Sequence, residues 1–184
     1  MAEQEIKKAA DVGASREATD GRSSRAGKYL TFHLETEEYG IEILQVTTII
    51  GLLEITFVPD TPHYVRGVIN LRGKVIPVVD MRGKFGLEPT EDTNETCVIV
   101  VDVQQGDGAV QMGALVDNVS EVLDISEDQI ENAPAFGNGH ETDYLLGMAK
   151  VNDDVKILLD IDKVLSSQDV VAIQSTAESA NEAG

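Results

Sequence analysis

One segment of fifteen residues recurs eighty positions further along the chain. Gly67 to Met81 reads as a glycine, a strand, a polar turn, a second strand, an aspartate and an aliphatic residue, and Gly147 to Ile161 follows the same plan without a gap. A second similarity, in the same order, relates Gly40 to Ile50 with Gly113 to Leu123. Such repeats indicate two copies of one supersecondary unit, which suit a pair of small β-barrels better than a solenoid of three or more repeats. The alternative is a chance resemblance between β-rich segments.

The first copy contains a predicted β-hairpin that displays a cation. Residues 70 to 74 link two runs of β-branched and aliphatic residues, and Gly73 is expected to supply the positive φ of a tight turn. The exposed cation would be Arg72. Five of the eight Lys and Arg residues between positions 29 and 165 lie between Arg66 and Lys84. Concentrated charge favours a surface that steers a partner, and the other interpretation is a solvated turn that keeps the hairpin soluble.

Composition narrows the class of partner. The chain has 184 residues, of which 42% are hydrophobic, so it can bury one core or two small adjoining ones. Its formal charge of −19 argues against nucleic-acid backbones and anionic membranes, which bind clustered Lys and Arg, and favours a protein partner. The longest uncharged apolar run, Ile43 to Leu53, is too short to span a bilayer, and no signal-peptide pattern opens the chain. We therefore expect a cytoplasmic protein.

The pattern along the chain predicts one folded region between two tails. Residues 1–27 are polar and are expected to form a disordered arm, and residues 167–184 a frayed helix or a disordered tail. The folded region, residues 28–166, divides into halves at about 35–90 and 91–165, with strands possibly exchanged at their ends. Thr96 to Val103 is apolar enough for a strand buried on both faces. Many short strands with few short helices predict an all-β fold of two small barrels or sandwiches.

The residues with reactive side chains form no recognisable catalytic or metal-binding pattern. Cys97, the single cysteine, lies inside an aliphatic run where its thiol would be protonated and inert. The histidines stand singly, without the spacing of a zinc site, and the paired aspartates lack a calcium-binding loop. Neither glycine-rich phosphate-binding motif occurs. We expect no enzyme activity, no metal and no cofactor.

Gly27 to Ser166 resembles the CheW-type coupling proteins of bacterial chemotaxis. The motifs that carry the resemblance are Tyr39-Gly40-Ile41, Val58-Pro59, the run from Tyr64 to Gly73, and Val75 to Arg82. The resemblance implies two five-stranded β-barrels packed side by side and no catalytic activity. It also implies an adaptor that bridges the cytoplasmic tip of transmembrane chemoreceptors to the regulatory domain of a CheA-type histidine kinase, recruited to membrane-bound receptor arrays.

The resemblance assigns candidate partner-binding positions. It places apolar residues near a groove between the barrels where the receptor tip docks, and it ties two further positions to the coupling signature. The candidates for the groove are Ile43, Val46 and Val98, and those for the signature are Gly67 and Arg72. At Thr48 many family members carry a glutamate that could pair with the hairpin arginine. We therefore expect either that Arg72 has another acidic partner or that the protein serves a divergent set of receptors.

Two alternatives to an independent adaptor remain. The first is an equivalent module from a kinase or from an adaptor fused to a receiver domain, although 184 residues with tails leave little room for a second domain. The second is a small-ligand-binding or sugar-binding β-barrel. Such a protein would be expected to carry aromatic platforms, yet Trp is absent and aromatic residues make up 4% of the chain.

Overall fold

The computed structural model describes residues 25–132 and 144–165, which form eleven strands and two short α-helices. The strands are β1 (Gly27–Leu34), β2 (Glu37–Glu42), β3 (Val46–Gly51), β4 (Val65–Leu71), β5 (Lys74–Asp80), β6 (Cys97–Gln105), β7 (Gly108–Val116), β8 (Asn118–Ile125), β9 (Ile130–Glu131), β10 (Leu145–Val151) and β11 (Asp154–Leu159). The helices are α1 (Met81–Lys84) and α2 (Ile161–Val164), and 3₁₀ turns occupy Ile43–Gln45 and Glu127–Gln129.

The strands form two sheets, which confirms the mostly-β fold. Sheet 1 has six strands in the order β8-β1-β2-β11-β10-β9, and sheet 2 has five in the order β3-β6-β7-β5-β4. The two five-stranded barrels expected from the sequence correspond to these two sheets, of six and five strands, although the pairing in the described part of the chain does not close either sheet into a ring. At the β4 edge of sheet 2, the connection after β3 adds only a single bridge, from Thr56 to Val68.

The repeat found in the sequence is a repeat of structure, and its hairpins are exchanged. Hairpin β1-β2 pairs with β8 and β11 of the second copy, whereas hairpin β6-β7 pairs with β3 and β5 of the first. The registers agree: Gly40 lies opposite Leu158 in parallel strands, and Gly113 lies opposite Val78 in the same way. Each sheet therefore takes strands from both halves of the chain.

Turn residues with positive φ angles close the second hairpin of each copy, β4-β5 and β10-β11. Leu71 pairs with Lys74 across the turn residues Arg72 and Gly73, whose φ angles are 53° and 86°. The equivalent turn of the second copy uses Asn152 and Asp153, with φ angles of 51° and 69°. Positive φ at both central residues is the type I′ geometry that matches the twist of a hairpin. The structure thus confirms the positive φ expected at Gly73 and adds one at Arg72.

A central core joins the sheets, and each sheet has a smaller core on its other face. Leu30, Phe32 and Ile41 of sheet 1 share the central core with Ile99 and many others of sheet 2. The core on the far side of sheet 2 consists of Ile69, Ile76, Val78, Val98, Val100 and Leu115, and that of sheet 1 of Tyr29, Ile125, Ile130, Ala149 and Leu158. Successive β6 residues from 98 to 101 are fully buried in alternating cores, which confirms the strand buried on both faces.

A row of four aromatic rings, three of them stacked and the fourth tilted, links the two copies beside the central core. Phe32 stacks on Tyr39 with centroids 5.9 Å apart, Tyr39 on Phe85 at 5.7 Å, and Phe85 packs at 5.4 Å against Tyr144. Offset contacts of this kind contribute beyond the area they bury. The row connects hairpin β1-β2 to the end of α1 and to the start of β10.

The folded region begins at Arg25, three residues before the predicted start at residue 28. Arg25 donates hydrogen bonds to the carboxylate of Glu127 (2.9 Å from its backbone nitrogen), to Oδ1 of Asn132 (2.9 Å) and to the carbonyl of Leu146 (3.1 Å). Its own carbonyl accepts from the Tyr29 hydroxyl at 2.5 Å. Residues 25–27, assigned to a disordered arm from the sequence, therefore belong to the fold. The rest of that arm and the predicted tail lie outside the described residues.

Candidate partner-binding surface

The tip of hairpin β4-β5 presents an exposed arginine. Asn70 holds the turn, because its Oδ1 accepts a hydrogen bond of 2.9 Å from the Gly73 backbone nitrogen. Arg72 itself is exposed. Within residues 25–132 and 144–165, no carboxylate lies within 4.0 Å of its guanidinium. The first alternative from the sequence, another acidic partner for Arg72, is therefore not found in this part of the chain.

The other arginines of the basic cluster have ionic partners. Arg66 forms a 2.8 Å contact with Asp92 and a 3.7 Å contact with Asp80. The hydrogen bond that Arg66 donates to the Asp92 carboxylate outweighs partial burial and raises the pKa of Arg66. Lys84 lies 4.4 Å from the centre of the Tyr64 ring, a cation–π distance. The local surplus of charge at the hairpin tip thus rests on Arg72 and its exposed neighbour Lys74.

Arg82 connects three parts of the fold. Its guanidinium hydrogen-bonds both carboxylate oxygens of Asp117, lies 3.5 Å from Glu35 and donates to the Glu88 carbonyl at 3.0 Å. Burial alone would raise the pKa of Asp117, but the bonds and charge of Arg82 bring it below the usual range. Such a bidentate, largely buried pair is geometrically specific. It fixes the corner between β7 and β8 against α1 and the β1-β2 turn.

Gly67 has a structural role next to the hairpin. It lies at a bulge in β4 with φ of 140°, and a Cβ there would lie 2.0 Å from the Thr56 carbonyl oxygen. Thr56 and Val68 exchange two backbone hydrogen bonds of 2.8 and 2.9 Å at this point. Only glycine allows the connection between β3 and β4 to approach this closely. Gly67 therefore allows the connection at Thr56 to lie antiparallel to β4, running away from the hairpin tip.

The remaining sequence candidates occupy different environments. Ile43 and Val46 are half-buried and pack against the central core, and Thr48 is half-buried on the edge strand β3. Strand β3, which carries Thr48, and strand β4, which leads into the Arg72 turn, stand at opposite ends of the order of sheet 2. Val98 is fully buried, in register with Ile50 of β3. An effect of Val98 on a partner would have to act through the packing of β3.

Several large aliphatic and aromatic side chains of sheet 2 and its adjoining segments are exposed. Leu44, next to Ile43 in the 3₁₀ turn, is 79% exposed, and Phe57 is 72% exposed. Val75 on the hairpin is 64% exposed, and Ile49 and Leu53 are each 42% exposed. Exposed apolar residues that cluster are typical of interaction sites. The sequence analysis missed Leu44 and Phe57, although each is a large apolar residue in a turn or connection, where no core position requires one.

The groups that could perform chemistry are not assembled into a site. Across residues 25–132 and 144–165, no group of three or more His, Cys, Asp and Glu side chains could hold a metal ion. Cys97 is half-buried, and burial raises the pKa of its thiol. No helix of the described ranges is long and apolar enough to cross a membrane.

Comparison with known proteins agrees with this architecture. Residues 28–169 match the family model of the CheW-like domain. Chemotaxis protein CheW of Klebsiella aerogenes is 38% identical over 152 residues, covering 83% of this chain and 89% of that protein. Chemotaxis protein CheW of Bacillus subtilis is 34% identical over 152 residues, covering 80% and 94%. The crystal structure of the scaffolding protein TtCheW from Thermoanaerobacter tengcongensis superposes with a TM-score of 0.69 at 32% identity, covering 78% of this chain and 95% of that one.

The fold consists of two sheets that exchange hairpins, and an exposed cationic turn lies beside exposed apolar side chains. These features define a β-rich protein-binding scaffold. The family match covers most of the chain, and the relatives match along most of their own length. The protein belongs to the CheW-like family of chemotaxis adaptors.

Proposed function

We propose that this protein couples the cytoplasmic tips of chemoreceptors to the regulatory domain of a CheA-type histidine kinase, and that it is recruited from the cytoplasm to membrane-bound receptor arrays. It acts by binding, without catalysis. The receptor tip binds the surface that carries Ile43, Leu44 and Val46, and the kinase uses a different face. The Arg72 hairpin contributes to binding one of these two partners.

The observation that supports this proposal most directly is the state of Arg72. The chain carries a net charge of −19, yet this guanidinium is exposed and, within the described residues, unpaired. Its φ of 53° is a conformation that a residue other than Gly, Asn or Asp adopts at a cost of about 1 kcal/mol or more. A strained, unpaired cation contributes little to the fold and much to recognition of an acidic partner.

We predict that Arg72→Asn weakens receptor binding or kinase coupling and leaves the fold intact. Asparagine occupies the equivalent turn position, 152, with nearly the same φ angle. The matched control is Lys28→Asn, which removes one positive charge from an exposed position of β1 on sheet 1. Each variant is titrated with a receptor-tip fragment and with the kinase regulatory domain, and circular dichroism confirms folding. Wild-type affinity for both partners in the folded Arg72 variant would contradict the proposal.

We predict that Leu44→Asp greatly weakens receptor-tip binding but leaves kinase binding unchanged. Leu44 is 79% exposed, so a charge there adds little cost to folding. Val46→Asp is expected to have the same effect on the receptor, but Val46 packs against the central core, so that variant also loses stability. Val155→Asp is the control for an exposed apolar residue on sheet 1, where Val155 is 51% exposed. Equal loss of both partners in the Leu44 variant would show that the two surfaces are not separate.

A further inference from the structure

The exchanged hairpins raise the question of how each one finds its sheet. Gly40 of β2 faces Leu158 of β11, and Gly113 of β7 faces Val78 of β5, so the two parallel ladders are equivalent. The same alignment makes Lys156 the counterpart of Ile76 and Glu38 the counterpart of Gln111. Backbone geometry therefore does not distinguish the two hairpin sites, and side chains must do so.

Sheet 1 buries polar side chains at positions where sheet 2 buries apolar ones. Lys156 Nζ hydrogen-bonds Glu38 Oε2, and the two side chains are only 7% and 17% exposed. Thr31, which is fully buried, exchanges hydrogen bonds with the backbone of Glu121 at 2.9 and 3.2 Å. In sheet 2 the counterparts of Lys156 and Thr31 are Ile76 and Val100, and both belong to a buried apolar core.

A buried ion pair contributes little net stability relative to well-packed apolar residues, because both charges are removed from water. Sheet 2 shows that this fold accepts an apolar residue in place of Lys156. The best-attested use of a buried polar pair is to select one arrangement over its competitors. Here the competitor is the arrangement in which the two hairpins trade places.

We propose that the Glu38–Lys156 pair directs hairpin β1-β2 into sheet 1 and excludes hairpin β6-β7 from that position. If the hairpins were interchanged, Lys156 would face Gln111, which bears no charge, and Glu38 would face the apolar Ile76. Both charges would then be buried without a counter-ion, which is strongly unfavourable. The pair therefore acts as a specificity device for the exchanged topology, independent of the partner-binding surface.

The test uses a disulfide that forms only when β1 lies beside β8. Lys28 and Asp124 are opposite each other in this pairing, and both are exposed. Cysteines at these two positions, with Cys97→Ser, report the hairpin location in the full chain refolded from urea. The intramolecular disulfide is quantified by mass spectrometry, and light scattering measures the monomer fraction at several protein concentrations.

Two variants of this reporter chain are compared with it. Glu38→Gln with Lys156→Ile gives sheet 1 the residues of sheet 2 and is expected to lower the intramolecular disulfide fraction at least twofold, with intermolecular dimers appearing. Gln111→Glu gives the wrong hairpin a competing carboxylate and is expected to lower the fraction without removing the native pair. The controls are Glu131→Gln with Lys150→Ala, an exposed ion pair on the same sheet, and Ala109→Glu on the same hairpin.

Each outcome decides the question. A lowered fraction in both variants but in neither control supports the proposal. If the double variant forms as much intramolecular disulfide and as much monomer as the reporter chain, the proposal is overturned. Each hairpin would then find its sheet without the Glu38–Lys156 pair. A double variant that does not refold, together with unchanged crosslinking in Gln111→Glu, would also overturn it, because the pair would then be needed for stability and not for selection.

Discussion

At the scale of single residues, two glycines and one arginine of the Gly67 to Gly73 run have different physical roles. Gly67 allows close approach of a neighbouring backbone, Gly73 supplies a turn conformation, and Arg72 accepts strain at an exposed position. Local sequence was sufficient to predict the positive φ at Gly73, because turn geometry depends on neighbouring residues. The role of Gly67 depends on Thr56, which approaches only in the folded chain.

We predict that Gly67→Ala lowers the free energy of unfolding by about 3 kcal/mol, because overpacking against a backbone is not relieved by side-chain rotation. The new Cβ would lie 2.0 Å from the Thr56 carbonyl oxygen. The matched control is Gly73→Ala, where φ is 86° but nothing lies within 4 Å, so a loss of only about 1 kcal/mol is expected. Urea denaturation of both variants gives the comparison. Equal losses would show that strain in φ, and not the contact with Thr56, dominates at position 67.

At the scale of elements, the repeated unit consists of a hairpin, a strand in the other sheet, a second hairpin and a short helix. In the first copy these are β1-β2, β3, β4-β5 and α1. Each short helix begins in the same way, with Asp80 accepting a hydrogen bond from the Arg82 backbone at 3.0 Å and Asp160 from that of Asp162 at 3.1 Å. These capping aspartates are visible in the sequence as the repeated Asp that ends each second strand. The point at which the folded region begins is harder to predict from the sequence. The segment around Arg25 is held in place by residues that are distant in sequence.

We predict that Arg25→Ala lowers the free energy of unfolding by about 1.5 to 3 kcal/mol, the range for hydrogen bonds to charged groups. The side chain ties the start of β1 to Glu127, Asn132 and the β10 backbone, and it is 27% exposed. Lys150→Ala breaks an ion pair with Glu131 in which the two side chains are 62% and 60% exposed. This change should alter the free energy of unfolding by less than about 0.5 kcal/mol. Chemical denaturation at one pH measures both. A loss at Arg25 no larger than that at Lys150 would mean that the start of β1 is not anchored by this side chain.

At the scale of the whole molecule, a chain with 33 acidic residues and 14 basic ones relies on a few paired carboxylates. Burial works against the charged forms of Glu38 and Asp117, but Lys156 and Arg82 respectively lower the pKa of each below its ordinary value. Glu42 behaves in the opposite way, because burial and the charges of Asp160 and Asp162 raise its pKa. Glu38 links β2 to β11 within sheet 1, whereas Asp117 lies at the corner where the chain passes from β7 to β8, so both carboxylates hold together strands from the two halves of the chain.

We predict that stability falls as the pH is lowered from 7 toward about 3, the range in which ordinary carboxylates titrate. A carboxylate whose pKa is lower in the folded state contributes stability above its unfolded pKa, and this contribution is lost as the pH falls through the folded value. Glu38 and Asp117 therefore destabilise the fold on acidification, whereas Glu42, with its raised pKa, contributes stability at low pH that is lost as the pH rises.

Urea midpoints at pH 7, 5, 4 and 3 test this prediction. Glu38→Gln should begin at lower stability and lose less of it on acidification, while Glu131→Gln, in an exposed pair, should follow the wild-type profile. Parallel profiles for wild type and Glu38→Gln would show that this carboxylate is not linked to folding.

The sequence by itself determined the duplicated plan, the mostly-β fold, the turn at Arg72 and Gly73, the strand buried on both faces and the family. These features follow from local patterns: alternation along strands, turn residues with positive φ, and motifs read in order. Only the tertiary structure decided that hairpins are exchanged between sheets, that Arg66 and Arg82 are paired while Arg72 is exposed, and that Val98 is buried. The physical reason is sequence separation, because Lys156 and Glu38 are 118 positions apart in the chain and Arg82 and Asp117 are 35 apart. No local pattern specifies which distant carboxylate a cation will contact.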